Sequence, residues 1–235
     1  GVGLEKAPLQ LRRAGLVDRL LDAGLDVVDD GDLPLALYRP RSPDRTQQNL
    51  DQVVAVAGRV ADRVARTVAT GRIPLVLGGD CTITLGVVAG LLRHHPGLGL
   101  LYFDGDVDLS TPATTQSGIL DAIGVAHMLG DGAPALARLG PRYPLLPADR
   151  LLLFGFDPIE VGPTPWTMSA SVACRRGQSP GSLAVRPRRP QQRWRRWSGW
   201  LIDCWCISTW TRSTRPTIRW PTFHISTSGS RSTRP

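Results

Sequence analysis

Three aspartates at alternate positions, Asp104, Asp106 and Asp108, follow directly on an apolar run formed by Leu98, Leu100, Leu101, Tyr102 and Phe103. An apolar run of this length, bounded by Gly and polar residues, reads as a buried strand. Open α/β sheets bind ligands outside the carboxyl ends of their strands, and the three acids stand at such an end. Three carboxylates within five residues repel one another unless positive charge lies between them. A hard divalent cation is the natural partner for oxygen donors of this kind. The chain is therefore expected to build a sheet that delivers these acids to one point.

The flanking sequence supplies the rest of such a sheet. Residues 49–70 place Val53, Val54, Ala57, Val60, Val64 and Val68 at helical spacing, and Gly71 stops the pattern. Residues 73–77 form a short apolar run that ends in Gly78-Gly79-Asp80. Residues 82–93 are helical again, with Leu85, Val88, Ala89 and Leu92 as the buried face. Residues 25–28 and 151–156 read as further strands, and residues 118–139 as mostly helical with Gly and Pro breaks. Strands alternating with helices imply an α/β fold, a parallel sheet with helices on both faces. Asp80 is expected to support its loop by hydrogen bonds, and His127, set among apolar residues, to serve packing rather than catalysis.

Beyond about residue 160 the pattern stops. Residues 161–235 carry 13 Arg and one acid, Asp203; this stretch holds +12 of a chain whose total is +8, leaving −4 on the remainder. All seven Trp also lie there. The chain divides into an α/β part, 1–160, and a basic Arg/Trp/Ser/Pro-rich tail, 161–235. Clustered Arg and Trp between residues 186 and 200 could contact phosphates and stack on bases, but no nucleic-acid-binding fold is discernible around them. No run is long and apolar enough to span a membrane. Gly1 is not a start residue, so the first position reads as a fragment boundary, and no secretory signal is recognisable. Four Cys without a disulfide framework point to a reducing, cytoplasmic setting.

Three segments together resemble the ureohydrolase family, which contains arginase, agmatinase and formimidoylglutamase. They are PLVLGGDCTITLG at 74–86, DGDVD at 104–108, and TP at 111–112 followed by SGILD at 117–121. The opening GLEKAPLQLRRAGL is similar to the family's start. The resemblance covers residues 1–160 and implies a three-layer α/β/α arginase-like fold whose C-terminal part is incomplete or disordered here. It implies a hydrolase of linear C–N bonds in small guanidino-type compounds, with two Mn(II) ions and homo-oligomeric assembly. Carried over by position, the metal ligands are Cys81, Asp104, Asp106 and Asp108, and the proton-handling residue is Asp121. Cys81 and Asp106 stand where the family has His, Asp121 where arginase has a proton-shuttling His, and Ser110 where it has Asn. The family's remaining ligands, in an H-x-D-x-D motif, are expected after residue 160, and none is written there. Read from the third base of each codon, residues 206–211 (CISTWT) are compatible with that motif, and one Lys against abundant Arg suggests GC-rich coding DNA. A frame change between about residues 157 and 201 would account for the break. A catalytically dead or truncated family member, and a basic nucleic-acid-binding tail module, are the alternative readings.

Overall fold

The computed structural model describes residues 4–39 and 44–156 in full, and the backbone of two later strands, 182–184 and 201–205. Two short helices open the chain, α1 (Ala7–Arg13) and α2 (Leu16–Asp22). Gly15 between them adopts φ 79°, a left-handed turn that the sequence marks by its only glycine in that helical stretch. There follow α3 (Leu50–Ala69), α4 (Ile83–Leu92), β1 (Gly99–Phe103), α5 (Gly124–Leu129), α6 (Pro134–Ala137), β2 (Leu151–Phe154), β3 (Ser182–Ala184) and β4 (Leu201–Trp205).

The sheet order is β3-β2-β1-β4. β1 runs parallel to both β2 and β4, with Tyr102 opposite Leu153 on one side and Cys204 on the other. β3 is antiparallel to β2. β3 and β4 come from the stretch beyond residue 160, where no ordered periodicity is legible. The five residues of β4 (LIDCW) do place two apolar residues at the head of a short run, enough to pair with an open edge.

The core lies on one side of this sheet. α3 is amphipathic in the expected way, burying Ala57, Val60, Ala61, Val64 and Ala65 at spacings of three and four. α4 is more enclosed than its pattern suggests, because Thr84, Gly86, Gly90 and Leu91 are buried as well as the four residues of the expected face. Its neighbours approach so closely that only glycine fits at two positions. A Cβ on Gly86 would lie 2.4 Å from the Ala57 carbonyl oxygen and 2.7 Å from Val60 Cβ, and one on Gly90 would lie 2.5 Å from the Ala61 oxygen. The two glycines, four apart and therefore on one face, let α3 and α4 pack backbone against side chain. In β1 and β2 the alternation is plain. Leu100, Tyr102, Leu151 and Leu153 are buried, whereas Leu152 and Phe154 on the opposite face are 37% and 38% exposed. Phe103 and Phe154 stack across that second face with ring centroids 5.3 Å apart.

Two expected strands are not formed. Residues 25–28 and 73–77 are extended but pair into no sheet among the described residues. Ion pairs tie down the stretch around the first of them: Arg72 to Asp26 at 2.9 Å, Arg63 to Asp30 at 2.8 Å, and Arg12 to Asp29 and Asp32 at 2.7 and 2.5 Å. Asn49 ties the following segment to α3, accepting from the Arg39 N–H and donating to the Arg39 carbonyl. An apolar run pairs only where a strand edge is offered, and among the described residues none reaches these two.

His127 is fully buried in α5, as its apolar setting suggests. Its Nδ1 accepts the Ala133 N–H at 2.9 Å, which leaves the proton of the neutral ring on Nε2. Burial lowers its pKa to about 4.

Two outcomes follow for stability. Gly86→Ala should destabilise the chain by about 1–3 kcal/mol through overpacking, whereas Gly58→Ala, in α3 with nothing within 4 Å of the new Cβ, should stabilise it by roughly 0.5–1 kcal/mol; urea denaturation of both variants reads the difference. His127 binds fewer protons folded than unfolded between its lowered pKa and the ordinary value of 6.5, so its contribution is complete above 6.5 and is lost as pH falls towards 4. Between pH 7 and pH 5 the loss should be about 2 kcal/mol, measured as the difference between the chain and His127→Leu so that the carboxylate contributions cancel.

Candidate metal centre

β1 delivers the aspartates as its alternation requires. Leu100, Tyr102 and Asp104 share the buried face, and Asp104 is 3% exposed. The Asp104 N–H still donates to the Phe154 carbonyl at 3.0 Å, so the acid sits on the last rung of the ladder to β2. The chain then turns. The Asp106 N–H donates to Asp104 Oδ1 at 3.1 Å, and the Val107 N–H donates to Asp106 Oδ1 at 2.6 Å. Asp108 takes a positive φ of 48°, a conformation that aspartate tolerates better than most residues. That turn returns its side chain to the core at 5% exposure, where the Tyr102 hydroxyl donates to it. Its carbonyl meanwhile accepts the N–H groups of Val125 and Ala126, each at 3.1 Å, which fixes the start of α5 against the turn.

The second approach comes from the loop before α4. Asp80 Oδ1 accepts the Thr82 N–H at 3.0 Å and the Thr82 hydroxyl, the supporting role expected of it. This turn seats the buried Cys81 with its sulfur 3.5 Å from Asp104 Oδ2. Cys81, Asp104 and Asp108 offer ligand atoms that all lie within 4.8 Å of one another. Cys81 is disulfide-bonded in this structure. A disulfide sulfur has no proton to donate, so its approach to Asp104 is a contact, and it would need reduction before serving as a thiolate ligand.

Asp106 lies outside this group. It is exposed, and one of its oxygens is occupied by the Val107 N–H. Asp121 is half-buried at the start of a 3-10 turn, Asp121–Ile123, where it accepts the Ala122 N–H at 2.8 Å. The loop that carries it is fixed by Gly118, whose φ is 67° and where a Cβ would meet the Arg45 carbonyl oxygen at 1.9 Å. No side chain other than hydrogen fits there.

The electrostatics are those of acids buried close together. Burial pushes the Asp108 carboxyl well above the ordinary carboxylate range; the Tyr102 hydroxyl opposes this, and Asp104, Asp106 and Asp121 reinforce it. Burial also raises Asp121, and the neighbouring Asp80 adds to the effect. Asp80, Asp104, Asp106, Asp108 and Asp121 thus act within one field, although they come from three separate segments.

Two features were not found in the sequence. The hydrogen bond from Tyr102 to Asp108 could have been sought from strand alternation, which puts residues 102 and 104 on one face. The left-handed backbone at Asp108 carries no signal in a single sequence.

The donor set fits one hard cation better than two. Asp104 and Asp108 are buried oxygen ligands at the right mutual distance, with Cys81 as a third, softer ligand when reduced. The carboxylate of Asp106 would have to leave the Val107 N–H and turn inward to join them.

Comparison with known proteins places this arrangement. The Arginase family model matches residues 2–161. The arginase of Bacillus caldovelox is 33% identical over 162 residues, covering 68% of this chain and 54% of that protein. Human arginase-1 is 40% identical over 127 residues, covering 54% of this chain and 39% of that protein. Among solved structures, the native Bacillus caldovelox arginase at pH 5.6 superposes with a TM-score of 0.60 at 33% identity, covering 63% of this chain and 50% of that one. The Bacillus subtilis arginase at 1.7 Å resolution gives 0.58 at 33% identity, covering 63% and 50%. The chain spans about half the length of these relatives. Their α/β fold is the fold class expected from the sequence, and the match over residues 2–161 makes this chain a member of the arginase family.

Proposed function

We propose that this chain carries the first half of the metal centre of a hydrolase acting on linear C–N bonds in small guanidino-type compounds. The observation that supports it is the buried group of Cys81, Asp104 and Asp108, gathered within 4.8 Å at the carboxyl end of β1 in a chain of this family. Asp104 and Asp108 would hold the ion, with Cys81 as a third ligand in its reduced state. Manganese, an ion well suited to carboxylate oxygens, is the ion we assign. When bound, such an ion lowers the pKa of a water molecule and polarises the group under attack.

This chain's own residues would do the remaining work. The Tyr102 hydroxyl orients Asp108, and the N–H of Asp106 orients Asp104. Asp121, whose carboxyl burial and Asp80 hold above the ordinary range, can keep a proton at a pH where a solvated acid would lose it, and so can carry one to a leaving amine. In a reducing cytoplasm, which we assign as its location, Cys81 would be a thiol and available. Among the described residues no helix is long and apolar enough to cross a membrane.

We also propose that the centre is incomplete in this polypeptide. Asp106 stands outside the ligand group, and the chain spans about half the length of its relatives. Residues 1–160 are the family part, and 161–235 a basic tail of non-family sequence produced by a change of reading frame. The tail carries no assigned nucleic-acid role.

Three outcomes check this. After reduction and manganese loading, elemental analysis should find one ion per chain; two ions would contradict the half-centre, and none would mark the site as dead. Asp104→Asn and Asp108→Asn should each weaken manganese binding at least tenfold, Asp106→Asn by less than threefold, and omission of the reductant should lower the uptake. Sequencing the DNA should show codons for residues 206–211 that encode H-x-D-x-D from the third base; any other reading there removes the frame-change proposal.

A further inference from the structure

Of the three side chains gathered at the candidate centre, Cys81 alone carries a covalent bond to another residue: it is disulfide-bonded. Its sulfur lies 3.5 Å from Asp104 Oδ2, and the residue is buried. It sits in the turn that Asp80 braces before α4. The chain has four cysteines, and the three besides Cys81 are Cys174, Cys204 and Cys206, all in the basic stretch 161–235. A bond from Cys81 within this chain therefore ties the centre to that stretch. The backbone narrows the choice. β4 runs parallel to β1 and sets Cys204 in register with Tyr102, two residues before Asp104. Cys206 is the next residue after β4 ends.

We infer that Cys81, together with a cysteine of the 204–206 segment, forms a thiol–disulfide switch that decides whether the centre can take a cation. The switch rests on the metal reading above and names what controls that site. A thiolate ligand must be a free sulfur, and the oxidised form has none at this position. Two molecules of a small thiol such as glutathione open the bond: their sulfurs join in a new external disulfide, and the two protein sulfurs each gain a proton. The reverse exchange, with the external disulfide as oxidant, closes it. A cation that takes the Cys81 thiolate holds the reduced form, so metal binding and redox state are linked in both directions. Reducing conditions leave the centre open to metal, and oxidising conditions close it and strap the β4 segment to the loop before α4.

The test uses the full 235-residue chain, glutathione buffers of stepped ratio, and manganese as the probe ion. Tryptic digestion without reductant should join peptide 73–93, which holds Cys81, to peptide 197–212, which holds Cys204 and Cys206. The reduced chain should bind manganese about tenfold more tightly than the oxidised one, an ordinary size for coupled sites. Saturating manganese should shift the midpoint of the glutathione titration towards the thiol form by that same factor. Cys204→Ser with Cys206→Ser, which keeps Cys81, should bind manganese as the reduced chain does at every glutathione ratio. No crosslink, or one from Cys81 to Cys174, overturns the switch. So does a manganese affinity equal in the two redox forms, which leaves the metal reading standing, and so does a double variant whose uptake still follows the glutathione ratio. No manganese on either form overturns the metal reading and the switch with it.

Discussion

The structure turns on two carboxylates that have been taken out of water. Asp104 and Asp108 end a strand whose other buried residues are Leu100 and Tyr102, and they retain only 3% and 5% of their exposure. Removing an ionised carboxylate from water costs several kcal/mol even after relaxation. A proton, a hydrogen-bond donor or a cation must offset this. For Asp108 the chain provides the Tyr102 hydroxyl, and for Asp104 the N–H of Asp106. Neither donor carries charge, and the neighbouring acids act in the opposite sense. Burial and the neighbouring acids raise the Asp108 carboxyl above the ordinary carboxylate range, the direction that a cation at this point would reverse.

The rest of the described fold exists to hold that arrangement. The left-handed turn at Asp108 would relax if its carbonyl were not fixed by Val125 and Ala126, and those N–H groups belong to a helix buried on every side. Gly124 leaves the room this needs: a Cβ there would meet Asp108 Oδ2 at 3.5 Å and the Tyr102 hydroxyl at 3.6 Å. On the other side, Gly86 and Gly90 let α4 settle against α3, which sets the height at which the Cys81 loop meets β1. Close packing transmits position, since an interior this dense has few alternative arrangements.

Much of this was legible in the sequence, and what was missed has physical reasons. The helical spacing at residues 49–70 and the apolar run before Asp104 each lie within one element, so a local pattern sufficed. The convergence of Cys81 with Asp104 and Asp108 was accessible only by resemblance, because nothing in spacing tells which strand end faces which. Asp106 was grouped with its neighbours because alternate positions share a face in a strand. The strand ends at Phe103, however, and once the backbone turns, periodicity no longer governs direction. Residues 25–28 and 73–77 have the composition of strands but no strand partner among the described residues, and β-structure is a property of pairs, not of single segments.

That contrast explains how half of a family fold can hold together. α3, α4, β1, α5 and β2 follow one another over about a hundred residues and together supply most of one buried core. Leu152 and Phe154 on the outer face of β2 remain partly exposed. β4 shows how undemanding the edge of β1 is: a five-residue run from beyond the family match pairs with it in parallel register. An edge that accepts so little sequence information gives register through its side chains alone, and a one-residue slip would turn each outward residue inward. Asp104 and the turn to Asp108 sit at the end of this permissive edge, so the precision of the candidate site depends on the helices behind it and not on the strand beside it.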